Sequence, residues 1–143
     1  MSNLAEQLLA EVPTEEVKNP DVGAHEDSTF DGGDLNVTQK GGFQIVARFT
    51  IPRTDGSGTI RHKEYINLPG TESHPRVKQM GLGWYQAFGI VPKGSKNVPM
   101  ADSKDSAEKI VAALNSLGGT NVGISLSEDD SGFLRARPLR TRS

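Results

Sequence analysis

From Phe43 onward, apolar residues recur at every second position: Phe43, Ile45, Ala47, Phe49 and Ile51. Strand side chains alternate between faces, so these five predict one buried face, with Val46 and Arg48 on the other. Pro52 and the run Thr54-Asp55-Gly56-Ser57-Gly58 end that strand, because Pro lacks an N–H donor and Gly tolerates positive φ. A second run then sets Ile60, Ile66 and Leu68 on one face and Arg61, Lys63 and Tyr65 on the opposite one. The two runs predict a β-hairpin with a long, mobile tip. Between Ser73 and Ile90 the period changes. Val77, Met80, Trp84 and Phe88 fall three and four apart, which predicts a helix with a single apolar stripe. Ser73 stands at the cap and Pro75 in the first turn, where proline is tolerated. Gly81 and Gly83 each weaken a helix by roughly 1 kcal/mol relative to Ala, so they predict close packing or a kink. Trp84 and Phe88 read as core, whereas Tyr85 lies off the stripe and stays open.

A loop with Pro92, Gly94 and Pro99 follows, its first half made basic by Lys93 and Lys96. Ser103 predicts the cap of a second helix over 104–117, with Ala107, Ile110, Val111 and Leu114 as its stripe and Gly118-Gly119 as its stop. The alternating Val122, Ile124 and Leu126 start a second hairpin, which turns at 128–132 and returns through 133–139. On that last strand Phe133, Arg135, Arg137 and Leu139 share a face, and Arg140 and Arg142 extend the basic end. At the other end, Leu4, Leu8, Leu9 and Val12 form a short amphipathic run that ends at Pro13, and 30–38 predicts a first edge strand.

Composition sharpens this picture in two ways. The chain has 143 residues, 34% hydrophobic content and 16 Gly, which favours one loop-rich β or α+β domain over a helical bundle, and with the two hairpins the expected class is mainly β with inserted helices. The net charge of −2 conceals an asymmetry. Residues 1–34 hold nine acids and one base, a net −8, and the rest hold fifteen Lys/Arg against nine Asp/Glu, a net +6. The expected organisation is therefore a flexible acidic N-terminal arm, 1–34, on a basic domain, 35–143.

Several chemistries drop out. There is no Cys, so disulfides and thiolate metal sites are excluded. His25, His62 and His74 are widely separated and predict surface residues rather than metal ligands. The acidic turn Glu128-Asp129-Asp130 lacks the spaced ligands and closing Glu of a calcium loop. No phosphate-binding loop, dinucleotide fingerprint or nucleophile elbow occurs, so neither an enzyme nor a cofactor is expected. No apolar run approaches the roughly 20 residues of a membrane span, so no membrane association is expected. What remains is cations beside rings on two hairpins. A groove of cations tracks phosphates, and each stacked base contributes about 1–3 kcal/mol. Arg48, Arg61, Lys63, Arg135 and Arg137 supply cations and Tyr65 and Phe133 supply rings, with burial in the core as the competing role for Phe133.

The stretches GGFQIVARFTI (41–51), HKEYINL (62–68), HPRVKQMGLGWYQAFGI (74–90) and NVGISLSEDDSGFLRARPL (121–139) occur in an order that resembles phage-encoded single-stranded-DNA-binding proteins of the OB type. The likeness covers roughly residues 35–140, with the acidic segment at the N-terminus rather than the C-terminus. It implies an OB-like small β-barrel with a helix between the central and final hairpins. It also implies single-stranded DNA as partner, protection of that DNA in phage replication or recombination, and the host cytoplasm as location. A homo-oligomer and a protein partner for the arm stay open. So does an alternative role as a phage virion or assembly component that uses the arm and sheet edges for protein contacts.

Overall fold

The computed structural model describes residues 20–139. The run at Leu4–Val12 and the basic residues Arg140 and Arg142 lie outside them. Among the described residues six strands and two helices follow one another: β1 (Gly23–His25), β2 (Thr29–Val37), β3 (Phe43–Pro52), β4 (Thr59–Leu68), α1 (Pro75–Phe88), α2 (Lys104–Asn115), β5 (Ile124–Glu128) and β6 (Leu134–Pro138). They build two three-stranded antiparallel sheets, in the orders β2-β3-β4 and β1-β5-β6. The fold is thus mainly β with two helices between the hairpins.

The long hairpin pairs ten residues on each side, from Phe43 with Leu68 to Pro52 with Thr59. Its alternation is as predicted: Ile45, Ala47, Phe49 and Ile51 are buried, as are Ile66 and Leu68. The tip, expected to be loose, is tied at its first residues. Asp21 accepts from the Thr54 N–H at 3.0 Å and pairs with Arg53 at 3.3 Å.

That contact corrects the expected boundary of the N-terminal arm. Residues 23–25 and 29–37 are strands, and Asp21, Ser28 and Phe30 are buried. The acidic stretch from 20 to 34 belongs to the folded domain because Phe30 supplies core and β2 completes the β3 sheet. β2 bulges where Asp31 and Gly32 together oppose Arg48, with Gly32 at φ 103°. Asn115, at the end of α2, holds the bulge: its amide accepts from the Gly33 N–H at 2.8 Å and donates to the Gly33 carbonyl at 2.9 Å. A Cβ on Gly33 would stand 2.7 Å from Ile45 and 2.9 Å from the Val46 carbonyl.

Helix α1 starts one residue later than predicted. His74 is its cap, with Nδ1 accepting from the Arg76 N–H at 3.1 Å, and Ser73 accepts from the Gly70 N–H instead. Gly89, at φ 85°, ends it in the left-handed conformation. The buried stripe is Gly81, Trp84, Tyr85 and Phe88, so Met80, expected inside, is 41% exposed. The cause is close packing at the glycines, one of the two roles predicted for them. A Cβ on Gly81 would stand 2.7 Å from Pro69, and one on Gly83 3.2 Å from Pro138. The helix rolls until its backbone meets those prolines, and Tyr85 turns inward. Phe30, Phe49, Trp84 and Phe88 form one ring cluster, with centroids 4.8–6.2 Å apart. Helix α2 is capped as predicted by Ser103, in a reciprocal box with Ser106, and buries Ala107, Ile110, Val111 and Leu114.

The expected closed barrel is not what forms. The sheets meet on one side where Thr29 bridges Asn121 and Val122 N–H donates to the Ser28 carbonyl at 2.7 Å. On the other side β4 and β6 face one another without a ladder. The Ala136 N–H, which closure would pair with a β4 carbonyl, instead donates to Glu64 Oε1 at 2.6 Å. A side chain thus stands where a backbone bond would complete the barrel.

Candidate nucleic-acid interface

Strand parity puts Arg61, Lys63, Tyr65 and Asn67 on the outer face of β4, and all four are exposed. Opposite them on β3 stand Thr50, Arg48, Val46 and Gln44. At a strand rise of about 3.3 Å per residue, the row from Arg61 to Asn67 runs about 20 Å. The Arg61 end is a shallow hollow of about 600 Å³, shared with Asp31, Arg48 and Thr50. The other end is an amide row, in which Asn36 donates to Gln44 at 3.1 Å and Gln44 to Asn67 at 2.8 Å.

The cations here are not equivalent. Arg48 is half-buried and pairs with Asp34 at 2.7 Å. Thr50 donates to Asp31. Two acids of the N-terminal segment thus already lie on this face, carried there by β2. Arg61 and Lys63 have no ion pair among the described residues. Tyr65 is 56% exposed, its ring beside the cations rather than in the core.

At Tyr65 the outer face turns into the seam between β4 and β6. This seam is a cleft of about 420 Å³. Its rim carries Tyr65, Arg76, Arg135 and Arg137, and its floor Ile66, Trp84 and Glu64. Arg135 pairs with Asp129 at 3.1 Å, whereas Arg76 and Arg137 have no ion pair among the described residues. Phe133 is 67% exposed in the turn before β6, which removes burial as its role. Its N–H donates to Asp129 Oδ1 at 3.0 Å. That bond, with the Ser131 N–H and Arg135, holds the Asp129 carboxyl below its ordinary pKa.

The structure therefore collects the sequence-predicted residues into two adjoining areas. Arg48, Arg61, Lys63 and Tyr65 share the β3–β4 face, and Tyr65 also borders the seam with Arg135 and Arg137. Phe133 stands apart from the residues that line the cleft. Sequence reasoning missed Asn67, which the parity of β4 reveals, and Arg76, which only the docking of α1 brings to the rim.

It also misjudged two histidines. His25 is buried, with Nε2 donating to the Asp21 carbonyl at 2.6 Å. His62 lies on the inner face of β4 and donates from Nε2 to Glu64 Oε1 at 3.0 Å, both side chains only 10% exposed. Even-numbered positions on β4 point inward, so His62 is enclosed there, as His25 is on β1, and each imidazole has found an oxygen. Among the described residues no three His, Asp or Glu side chains converge as a metal site would require, and no helix is long and apolar enough to cross a membrane.

No protein-family model matches the chain, and no curated protein sequence matches it.

Proposed function

We propose that the protein binds single-stranded DNA along the outer face of β4 and across the β4–β6 seam, on the OB-like plan that the sequence resembles. The observation that carries the reading is the exposed row Arg61, Lys63, Tyr65, continuous with a cleft rimmed by Arg76 and Arg137. Arg61, Lys63 and Tyr65 on a row about 20 Å long, with Arg76 and Arg137 at the adjoining seam, give four cations without ion pairs among the described residues and one exposed ring, which supply phosphate attraction and a stacking platform. A flexible strand can follow a face that bends into a seam; a stiff duplex cannot lay bases on Tyr65 without being opened. Protection of single strands during phage replication or recombination, in the host cytoplasm, is the setting that the sequence resemblance implies.

The test is direct titration of the purified protein with labelled single-stranded and duplex oligonucleotides of equal length. Tighter binding of the single strand supports the proposal, and equal affinity or none rejects it. Exposed Val22, just before the outer strand β1, and Val37, at the end of the outer strand β2, favour a second reading as an assembly component. That reading expects a change of mass in solution with protein concentration and no oligonucleotide affinity.

A further inference from the structure

The seam holds a combination that simple phosphate tracking does not need: a largely buried carboxylate on the floor of an arginine-rimmed cleft. Glu64 Oε1 accepts from the Ala136 N–H and from His62. A carboxylate offers about four lone-pair positions over two oxygens, so Oε2 is left to accept from whatever enters. The described residues give Oε2 no hydrogen-bond partner. Beside it lie the apolar surfaces of Ile66 and Trp84, with Tyr65 and the free guanidinium groups of Arg76 and Arg137 at the rim. The cleft's volume, about 420 Å³, falls within the range of small-molecule sites.

From this arrangement we infer that the seam is a nucleotide subsite that takes one unstacked base and prefers guanine. The inference rests on the strand-binding reading above and deepens it. Apolar walls accept the flat face of any base, and Arg76 and Arg137 accept its phosphate. The floor discriminates. Guanine turns two adjacent donors, N1–H and the N2 amino group, toward an acceptor, and Oε2, with both of its lone-pair positions open, can accept both. Adenine and cytosine each offer a single amino group there. Thymine offers one N–H flanked by two carbonyl oxygens, which a carboxylate repels. A site whose polar floor is matched by one partner and opposed by another discriminates strongly, because the mismatch leaves a buried group unpaired. On a bound strand this subsite would fix register at a guanine, while the β4 face holds neighbouring nucleotides regardless of sequence.

Trp84 is the only tryptophan, and it lines the cleft, so its emission reports occupancy. The wild-type protein is titrated with 2′-deoxyguanosine 5′-monophosphate, thymidine 5′-monophosphate and inorganic phosphate, exciting at the red edge of indole absorption. A saturable Trp84 response to the guanine nucleotide is expected, with affinity about tenfold or more above that for the thymine nucleotide. Phosphate alone should leave the emission unchanged. Arg137→Ala, a change at an exposed residue, should weaken the guanine nucleotide about tenfold, and Glu64→Gln should shrink the guanine-to-thymine ratio. No saturable response, or equal affinity for both nucleotides, overturns the inference. A labelled thymine oligonucleotide, followed by anisotropy in parallel, separates it from the parent reading. Oligonucleotide binding without a Trp84 response to the guanine nucleotide leaves the strand face standing and removes the subsite. A selective nucleotide response without oligonucleotide binding keeps the subsite and removes the strand face.

Discussion

Trp84 is 3% exposed, stacked 5.8 Å from both Phe49 and Phe88. Truncating such a ring removes buried area and leaves a cavity, so Trp84→Ala should lower stability by about 3–5 kcal/mol, measured by denaturant unfolding. Tyr85 is the contrasting case. Burial pushes its hydroxyl pKa up, and the hydroxyl has no hydrogen-bond partner among the described residues. Tyr85→Phe keeps the ring and removes that polar atom, so it should leave stability unchanged or raise it, by up to about 1 kcal/mol. A loss larger than that would mean the hydroxyl has a partner. Asp129 carries a pH dependence. Its folded carboxyl is held low by the Phe133 N–H first, then by the Ser131 N–H and Arg135. A depressed acid contributes stability above its unfolded pKa and loses it as pH falls through the folded value. The turn that carries Phe133 should therefore loosen only in strong acid, below the ordinary carboxylate range, as faster amide exchange at Phe133.

At the level of elements, what the sequence revealed follows from what kind of signal each element carries. The β3–β4 hairpin was legible because a ten-residue strand with one buried face must alternate, and nothing competes with that period. The stripe of α1 was read one position off. A hydropathy pattern gives Gly81 no weight, yet its missing side chain is what lets the backbone approach Pro69. The Glu64 bridge was not legible at all. It joins residues 72 apart in sequence, and a carboxylate that substitutes for a ladder carbonyl leaves no periodic trace. Similarly, the acids at 21, 31 and 34 looked like part of a loose arm because their partners are supplied by β3 (Thr50 and Arg48) and by the tip that follows it (Arg53). The bulge in β2 gives the element-scale prediction. Asn115→Ala leaves the Gly33 N–H and carbonyl unpaired, so it should destabilise the domain by about 1–3 kcal/mol, with Gly33 amide exchange rising first. Unaltered exchange at Gly33 would show that α2 does not hold the bulge.

Across the whole molecule, charge is sorted by surface. The candidate site was half legible: cations and ring on β4 came from parity alone, whereas the seam exists only once α1 and β6 dock. Among the described residues Arg61, Lys63, Arg76 and Arg137 form a positive path without ion pairs, while Arg48 and Arg135 are already engaged by Asp34 and Asp129. This division predicts a modest salt dependence. Four phosphates neutralised on a single strand give a slope of about −3 in log affinity against log salt concentration. The most direct test compares the wild-type protein with the triple variant Arg61→Ala, Lys63→Ala, Tyr65→Ala, titrating one labelled single strand at several salt concentrations and recording unfolding in parallel. The account predicts a wild-type slope near −3 that flattens by about 1.4 in the variant. It also predicts an affinity loss of at least tenfold, since stacking on one ring alone contributes about 1–3 kcal/mol. Unfolding free energy should change by less than about 0.5 kcal/mol, because all three side chains are exposed. A variant that binds the strand as tightly as the wild type, with the same salt slope, would contradict it.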